Sequence, residues 1–441
     1  MDTLDTDRIR EIAEHWMIPT PGAAYMAGLE ARPVLARGEG ATVTDTAGKT
    51  YLDFQSGQMG AALGHRHPRV MAAIVEATRT LVHSSNTMLN VERLLLHERL
   101  GRLLTPPLAK SLFLVSGSDS IEAAVDLARK ATGGMDVLGL HDGLHGSTSL
   151  VSRSLSFGWT RRKHAAVAPA TSSILTPYCY RCPVASTFPG CDFLCLKASM
   201  ELADANFTAQ PAAAIVEPVL SAGGVVVPPP GYFRALRQAC DERGMLLIFD
   251  EAQTGLGKTG RMFAHEHEGL VPDVMALSKH FGGGLPISAV CTSAELADRA
   301  VRQGYFATRS HATDPILCAA GRASLDVIVD EDLPGRAAAI ERRMRAGFEA
   351  MAREFEIVGD VRGRGVLLGV ELVTDRERKT PANKEAEAIA SRCLDAGLVF
   401  QVRGSHGRMN VLRFVPPMTT TDAETDRALG IVRDAIAAVA G

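Results

Sequence analysis

The sequence predicts an α/β fold, in which helices cover both faces of a mostly parallel central sheet, followed by a smaller α+β domain. Between residues 70 and 325, short apolar runs alternate with amphipathic stretches of helix length, a pattern typical of buried parallel strands. After residue 325, a charged helical stretch leads into strands and a further helix, which indicates an α+β domain. We therefore expect an N-terminal segment with a hairpin (1–69), a large domain (70–325) and a small domain (326–441).

The individual elements can be placed in chain order. Residues 41–44 and 50–54 flank a Gly-containing turn, which predicts a hairpin. In the small domain, a helix over Pro334–Arg353 precedes strands within Glu356–Leu372 and a helix near Asn383–Ala396. The apolar runs that form the predicted strands of the large domain are Ser111–Ser116, Val137–His141, Ala213–Val216, Met245–Phe249, Val274–Leu277 and Ala289–Thr292. Ligands of parallel sheets bind beyond the carboxyl ends of the strands, so residues directly after each run are the first candidates for function.

The composition excludes several classes of protein. The 441 residues carry 47 Lys+Arg and 50 Asp+Glu, a balance that offers no basic surface for nucleic acid. The longest apolar runs, such as Met245–Phe249, are far shorter than the roughly 20 residues that span a membrane. The acidic start predicts no signal peptide, and only eight Cys in so long a chain favour reduced thiols. We expect a cytoplasmic enzyme without nucleic-acid or membrane partners.

Polar residues follow four of the predicted strands. Gly117 and Ser118 open a helical pattern, which suits either an anion site or an ordinary helix cap formed by Ser118 or Ser120. Asp250 leaves a buried strand and needs a cationic partner there, such as a protonated pyridine nitrogen. Lys279 follows the next strand, directly before a glycine-rich loop. It could be a lysine that forms a Schiff base, or a surface lysine whose aliphatic stem is buried. Glu217 ends a fourth strand.

Taken together, these strand ends predict a pyridoxal phosphate (PLP) site. Lys279 would form the imine, Asp250 would hold the pyridinium proton, and the helix beginning near Gly117 would take the phosphate. A competing phosphate-loop pattern over Ala252–Thr259 lacks its first glycine and follows acidic residues. A nucleotide-binding protein or a non-catalytic binding protein therefore stays a remote alternative.

A longer motif identifies a family. The segment Leu247–Gly260, with Pro272–Lys279 beyond it, resembles the signature of class III PLP-dependent aminotransferases, and the similarity extends over nearly the whole chain. Within that family, Leu52–Gly60, Leu63–Pro68 and Val358–Gly365 are most similar to dialkylglycine decarboxylases. The resemblance implies PLP-dependent transferase fold type I and a homodimer, or a dimer of dimers, with active sites at the subunit interface.

The resemblance also implies roles for individual residues. Lys279 would carry the cofactor and move protons, Arg413 would bind the substrate carboxylate, and Gln58 would hold a scissile carboxylate out of the ring plane. The bond that lies parallel to the ring's π orbitals is the one that breaks, so whichever group these residues place there leaves. The residues expected around the cofactor are Gly117, Ser118, Leu144, His145, Glu217, Asp250, Gln253, Lys279 and Ser310, the last from the partner subunit.

Departures from the family pattern surround the substrate. Leu144 stands where an aromatic residue usually stacks on the cofactor, and Ala222 aligns with a serine of the decarboxylases. The leading hypothesis is a decarboxylating aminotransferase that acts on an α,α-disubstituted or related amino acid, with a keto acid such as pyruvate as acceptor. The alternative is an ordinary aminotransferase of an ω-amine or amino acid, without decarboxylation.

Two metal sites are also predicted. By resemblance, Asn86, Ser310 and Asp314 would hold K⁺ or Na⁺ beside the active site, because alkali ions prefer oxygen ligands. A capping or turn role for Asp314 is the alternative. An insert with the spacing C-x2-C-x8-C-x3-C offers four thiols for Zn²⁺ or an iron–sulfur cluster, at Cys179, Cys182, Cys191 and Cys195. The other interpretation of this insert is a Pro-rich loop whose cysteines pack or pair.

Overall fold

The computed structural model describes residues 6–17, 33–156 and 168–440. The start of the chain, on which the expectation about a signal peptide rests, lies in part outside these residues. The strands are β1 (Leu35–Glu39), β2 (Thr42–Asp45), β3 (Thr50–Asp53), β4 (Leu108–Leu114), β5 (Asp136–Leu140), β6 (Thr171–Ile174), β7 (Pro211–Val216), β8 (Leu246–Asp250), β9 (Val274–Leu277), β10 (Ser288–Ser293), β11 (Val358–Arg364), β12 (Leu367–Asp375), β13 (Thr380–Pro381), β14 (Leu398–Val399), β15 (Gln401–Arg403) and β16 (Val411–Phe414).

Helices account for most of the remaining regular structure. They are α1 (Thr6–Trp16), α2 (Ser56–Met59), α3 (Pro68–Thr80), α4 (Val91–Gly101), α5 (Gly117–Thr132), α6 (Leu150–Ser154), α7 (Leu194–Asn206), α8 (Tyr232–Asp241), α9 (Ala294–Arg302), α10 (Pro315–Asp330), α11 (Leu333–Glu354), α12 (Asn383–Asp395) and α13 (Asp422–Ala440). Among the described residues, none of these helices combines the length and the apolar character that crossing a bilayer requires.

The central sheet has seven strands in the order β4-β10-β9-β8-β7-β5-β6. All six predicted runs form strands of it. The pairs from β9 to β6 are parallel, whereas β10 runs antiparallel to both of its neighbours. The parallel expectation was therefore wrong for Ala289–Thr292, because the short connection after β9 turns the chain back instead of crossing over. Strand β6 was missed, since three of its four residues are polar.

Side chains of the central strands alternate between two apolar layers. Leu246 and Ile248 pack with helices α5 and α9, whereas Leu247 and Phe249 pack with α7 and α8. This alternation follows from the two-residue period of a strand. Both faces of the sheet are thus covered, which confirms the α/β prediction and leaves the strand ends as the accessible polar edge.

Two smaller sheets flank the central one. The predicted hairpin forms from β2 and β3, and β14 joins it in parallel with β3, so this sheet combines N-terminal and C-terminal strands. The other sheet is antiparallel, in the order β11-β12-β16-β15, with β13 paired to β12. The predicted C-terminal helices correspond to α11 and α12. The domain boundaries at residues 69 and 325 stay a prediction.

Candidate active site

Asp250 and Lys279 lie at neighbouring strand ends. Asp250 closes β8, and its register partner on β9 is Ala276, three residues before Lys279. Asp250 is 5 % exposed, and its Oδ2 lies 2.9 Å from Nδ1 of the fully buried His145. Its Oδ1 accepts a hydrogen bond from the amide of Ala252 at 3.1 Å. The carboxylate is therefore oriented on both oxygens, and the imidazole of His145 is held behind it.

Lys279 adopts a strained backbone conformation. Its φ is +56°, in the left-handed region that side chains other than Gly rarely occupy, and such strain concentrates at functional sites. The following glycines permit this sharp turn: a Cβ on Gly282 would lie 2.2 Å from the carbonyl oxygen of Leu285. Burial lowers the pKa of the Lys279 amine, while the nearby Asp250 opposes that shift. The result favours an amine that is neutral and nucleophilic.

Glu217 lies among these groups without a cationic hydrogen-bond partner. It is 3 % exposed, and its Oε1 accepts from the amide of Leu144 at 2.8 Å. Its Oε2 has no hydrogen-bond partner among the described residues. Burial raises the pKa of the Glu217 carboxyl to about 7, with Asp250 adding to that rise and His145 opposing it. This carboxyl therefore titrates near neutral pH.

The N-terminus of α5 presents backbone N–H groups at the same edge of the sheet. Ser116 caps the helix and forms a capping box with Asp119, so the alternative that Ser118 or Ser120 is the cap was wrong. The first two amides, at Gly117 and Ser118, have no intrahelical partner by helix geometry. A side chain at Gly117 would crowd Ser278, whose Oγ lies 3.1 Å from the position of a Cβ. An anion can approach this terminus closely.

Arg413 is a buried cation held by neutral side chains. It is 4 % exposed, its Nη1 donates to Ser221 Oγ at 2.9 Å, and its Nη2 donates to Gln401. Burial lowers the pKa of the Arg413 guanidinium, and the nearby Arg403 lowers it further. Gln401 also accepts from Arg403 at 2.8 Å and donates to Gln58 Oε1 at 2.7 Å. The structure thus joins Gln58 to Arg413 through Gln401.

Sequence reasoning missed two of these contacts. Ser221, not Ala222, supplies the hydroxyl beside Arg413, because the loop after β7 positions it there. Gln401 faces Arg413 because the two residues are register partners on β15 and β16. That strand pairing would have been visible only if the short strand at 401–403 had been recognised.

Lys258, the lysine of the rejected phosphate-loop pattern, is buried beside the candidate site. The side chain is fully buried, and its Nζ donates to the carbonyl oxygen of Met59 at 3.2 Å. Burial lowers the pKa of Lys258, and the neighbouring Lys279 and Arg413 lower it further. The lowered pKa favours a neutral amine, and its contact with Met59 indicates a structural role for Lys258 rather than phosphate binding.

The three residues predicted to bind an alkali ion differ in their exposure and in their hydrogen-bond partners. Asn86 donates from Nδ2 to Thr308 and, at 3.4 Å, to the carbonyl oxygen of Arg309, whereas Ser310 is exposed. The Asp314 carboxylate accepts from His83 and His311. Asp314 precedes α10 but makes no side-chain cap, so a capping role was wrong, whereas a turn role stays a prediction. An alkali ion at these residues stays a prediction.

The four cysteines of the insert gather around one small cavity, which all four line. All are free thiols. Burial raises the pKa values of Cys179 and Cys195, and neighbouring thiols raise them further. In the described part of the chain, however, the only three-residue group of His, Cys, Asp or Glu ligand atoms within 4.8 Å of one another is His83, His311 and Asp314. A Zn²⁺ or iron–sulfur site at the cysteines stays a prediction.

The comparison with known proteins decides the family. The model of the family described as aminotransferase class-III matches residues 27–436. The chain belongs to the class III aminotransferases. It is 35 % identical to the 5-aminovalerate aminotransferase of Pseudomonas aeruginosa, over 91 % of this chain and 93 % of that protein. It is 34 % identical to the acetylornithine aminotransferase of Methanopyrus kandleri, over 92 % and 94 % of the two chains.

A third relative and two solved structures extend the comparison. The leucine/methionine racemase of Thermococcus litoralis is 34 % identical over 98 % of this chain and 96 % of its own. The PLP-bound structure of an amine transaminase from an uncultivated Pseudomonas species has a TM-score of 0.86 at 29 % identity, covering 93 % and 95 % of the chains. An (S)-enantioselective ω-transaminase from Thermomicrobium roseum has a TM-score of 0.89 at 26 % identity, covering 99 % of each.

These findings confirm a PLP-dependent class III aminotransferase of fold type I. The residues present fit that cofactor. Lys279 offers a buried amine, Asp250 a carboxylate for the pyridine nitrogen, and α5 an anion site. The Gln253 side chain is 8 % exposed, and its Oε1 has no partner in the described part of the chain. A polar ligand bound beside Gln253 would satisfy that buried amide.

Proposed function

We propose that this aminotransferase moves an amino group between a carboxylate-bearing amine and a keto acid, and that the donor loses a proton rather than CO₂. The observation that carries the proposal is Arg413, a buried guanidinium that makes no ion pair among the described residues and reaches only Ser221 and Gln401. A substrate carboxylate would supply the missing charge. The relatives named above act on amino acids by their names, which supports an amino acid as donor here.

The proposed roles follow from the placement of each group. PLP, when bound, supplies a ring that accepts the electrons released when a bond at the substrate carbon breaks. Lys279 would attach the cofactor and, with its lowered pKa, accept and return the proton at Nζ. Asp250, oriented by His145, would hold a proton on the pyridine nitrogen. Gln253 would bind the phenolic oxygen.

Four further residues would complete the cofactor site. Gly117 and Ser118 would bind the phosphate through the N-terminus of α5. Leu144, whose amide is held by Glu217, would pack on the ring. The hydrogen bond from its amide to Glu217 holds the backbone of Leu144 in position, although the side chain is not the aromatic one usual in the family.

Decarboxylating transamination is a second candidate, favoured by one observation. Gln58 has a φ of +66° in a break within α2, and this conformation places its amide in contact with Gln401, which touches Arg413. A substrate carboxylate at Arg413 would therefore lie near a second amide group. Gln58 could bind a carboxylate that is to leave.

We propose a homodimer or a dimer of dimers as the working assembly. Large apolar side chains near the start of α4 are exposed: Met88 by 67 %, Leu89 by 70 % and Val91 by 70 %. Phe306 is 80 % exposed. Apolar patches of this kind mark protein interfaces. A location in the cytoplasm stays a prediction.

Two donors separate the candidate reactions. 5-Aminovalerate has no carboxylate on the carbon that bears its amino group, so it can donate that group only by losing a proton. α-Aminoisobutyrate has no hydrogen on its α carbon and can donate only by losing CO₂. Each would be incubated with the holoenzyme and pyruvate or 2-oxoglutarate, and the amino product and CO₂ would be measured.

The expected result is amino transfer from amino acids that carry a hydrogen on the reacting carbon, without CO₂. A panel of α- and ω-amino acids is tested in the same way as 5-aminovalerate. As a control, the substitution Lys279→Ala should abolish every reaction. CO₂ release from α-aminoisobutyrate in step with alanine formation would overturn the proposal in favour of decarboxylation. Turnover that survives Lys279→Ala would overturn the assignment of the site.

A further inference from the structure

Three metal-ligating side chains outside the cofactor site meet between two loops. His83 follows α3, and His311 and Asp314 precede α10. Nδ1 of His83 lies 2.6 Å from Asp314 Oδ1, and Nδ1 of His311 lies 2.8 Å from Asp314 Oδ2. The two imidazole rings are 4.9 Å apart, tilted by 49°. All three ligand atoms lie within 4.8 Å of one another.

The Asp314 carboxylate is committed to this cluster. Asp314 is 6 % exposed and stands at the N-cap position of α10, yet its side chain accepts no hydrogen bond from that helix. Aspartate at this position usually caps the helix. Here both oxygens face imidazole nitrogens instead, and the positive end of α10 stabilises the negative charge.

A buried asparagine holds the two loops together. Asn90 is 9 % exposed, and its Nδ2 donates to the carbonyl oxygen of Thr313 at 2.8 Å and to Ser84 Oγ at 3.0 Å. Its Oδ1 accepts from the amide of Arg93, at the start of α4. The residues next to His83 and Asp314 are thus fixed by contacts that do not involve the cluster itself, so the backbone that carries these two ligands is preorganised.

We propose that His83, His311 and Asp314 bind a divalent transition-metal ion such as Zn²⁺. Two imidazole nitrogens and one carboxylate oxygen suit Zn²⁺ or Co²⁺, whereas K⁺ and Na⁺ prefer oxygen ligands. Ligands of a tetrahedral ion with bonds of about 2.0–2.1 Å lie about 3.3 Å apart. One ligand atom from each residue already lies within 4.8 Å of the others, and the two histidine side chains, which are 53 % and 65 % exposed, can rotate to reach that spacing.

The coordination would replace existing hydrogen bonds. Each imidazole gives up the proton on Nδ1, which faces Asp314, and carries its proton on Nε2 when the metal binds. Three protein ligands leave a fourth position for water, as in open zinc sites. The proposed metal site does not depend on the proposed reaction.

The chain offers a matched control with the same residue types. His141 and His406 stack with ring centroids 4.4 Å apart at an angle of 9°, and Nε2 of His406 lies 2.9 Å from Asp142 Oδ1. This second group does not bring three ligand atoms within 4.8 Å of one another. It should therefore not bind the ion.

The test is a titration of EDTA-treated, PLP-loaded enzyme with Co²⁺ in a buffer of constant K⁺ and Na⁺, followed by visible absorption and by equilibrium dialysis. We expect one ion per chain, and at least about tenfold weaker binding in His83→Gln, His311→Gln and Asp314→Asn. His406→Gln and Cys182→Ser should bind as the unmodified enzyme does. His83→Gln carries the test if another variant fails to fold, because its side chain is about half exposed.

Two results would overturn the proposal. One is the absence of Co²⁺ binding by the unmodified enzyme. The other is binding that His83→Gln leaves unchanged, including binding that Cys182→Ser removes, which would place the ion at the cysteine insert.

Discussion

Two buried arginines in the same antiparallel sheet differ in what surrounds them. Arg362 on β11 lies 2.7 Å from Asp360 and 2.8 Å from Glu371. Arg413 on β16 contacts only the neutral side chains of Ser221 and Gln401. The Arg362 side chain is 11 % exposed and Arg413 is 4 % exposed, so burial does not explain the difference.

The pKa shifts of the two guanidiniums have opposite signs. Although burial lowers it, the pKa of Arg362 is raised by Tyr178, Glu371 and Asp360. The pKa of Arg413 is lowered by burial and by Arg403, and the nearby Glu217 opposes this shift without reversing it. A buried charge is costly unless a partner compensates it. The comparison therefore supports our proposal that Arg413 binds an anionic ligand, whereas the ion pairs of Arg362 lie within the fold.

The largest expected effect concerns the compensated arginine. Glu371 binds both Arg362 and Arg181, so Glu371→Gln leaves two largely buried cations without this carboxylate. We expect a loss of about 3–5 kcal/mol in the free energy of unfolding, measured by urea denaturation. Glu354→Gln is the control, since its pair with Arg433 is exposed and should contribute far less to stability. Equal losses in the two variants would contradict the comparison.

A smaller effect, dependent on pH, concerns Glu217. Its pKa in the folded chain is about 7 against an ordinary 4.5, so the folded chain keeps a proton that the unfolded chain releases between those values. Stability therefore falls as the pH rises through this window. Glu217→Gln should remove this pH-dependent loss of stability. Relative to the unmodified chain, the free energy of unfolding of the variant should rise by up to about 3 kcal/mol from pH 4.5 to pH 8. Urea denaturation at both pH values measures it.

The control for this prediction is again Glu354→Gln, whose effect on stability should differ far less between the two pH values than that of Glu217→Gln. A Glu217→Gln variant whose stability relative to the unmodified chain did not change with pH would show that this carboxyl is already ionised in the folded protein.

The smallest expected effect comes from a substitution that gives Arg413 a carboxylate partner. Gln401→Glu places a carboxylate between Arg403 and Arg413, where it competes with a substrate carboxylate. We expect the KM of an amino-acid donor to rise about tenfold and the free energy of unfolding to rise by about 1 kcal/mol. Steady-state kinetics and urea denaturation measure the two changes. Gln401→Ala, which adds no charge, should not raise stability; an unchanged KM in Gln401→Glu would contradict a carboxylate site at Arg413.

The sequence predicted the residues whose position follows directly from a strand. Asp250 and Lys279 come after apolar runs, and the edge of a parallel sheet brings such residues together. The same reasoning could not find Gln401, because its contact with Arg413 depends on the register of a three-residue strand. Nor could it find Ser221, which a loop places beside Arg413.

Local sequence was also insufficient where the chain reverses or where loops meet. Strand β10 has the apolar pattern of its parallel neighbours but runs in the opposite direction, and periodicity does not report direction. His83 and Asp314 are 231 positions apart, so only the packing of their loops brings them into contact. Short polar strands such as β6 lack the apolar pattern altogether.

The central claim is that Arg413 recognises a substrate carboxylate. Its most direct test compares the best amino-acid donor of the panel with the amine that lacks only its carboxylate. The rate of cofactor conversion in a single half-reaction would be followed by absorbance, in the unmodified enzyme and in Arg413→Gln. We predict that the unmodified enzyme prefers the amino acid by at least about 100-fold, and that Arg413→Gln removes most of this preference. An equal preference in both enzymes would contradict the account.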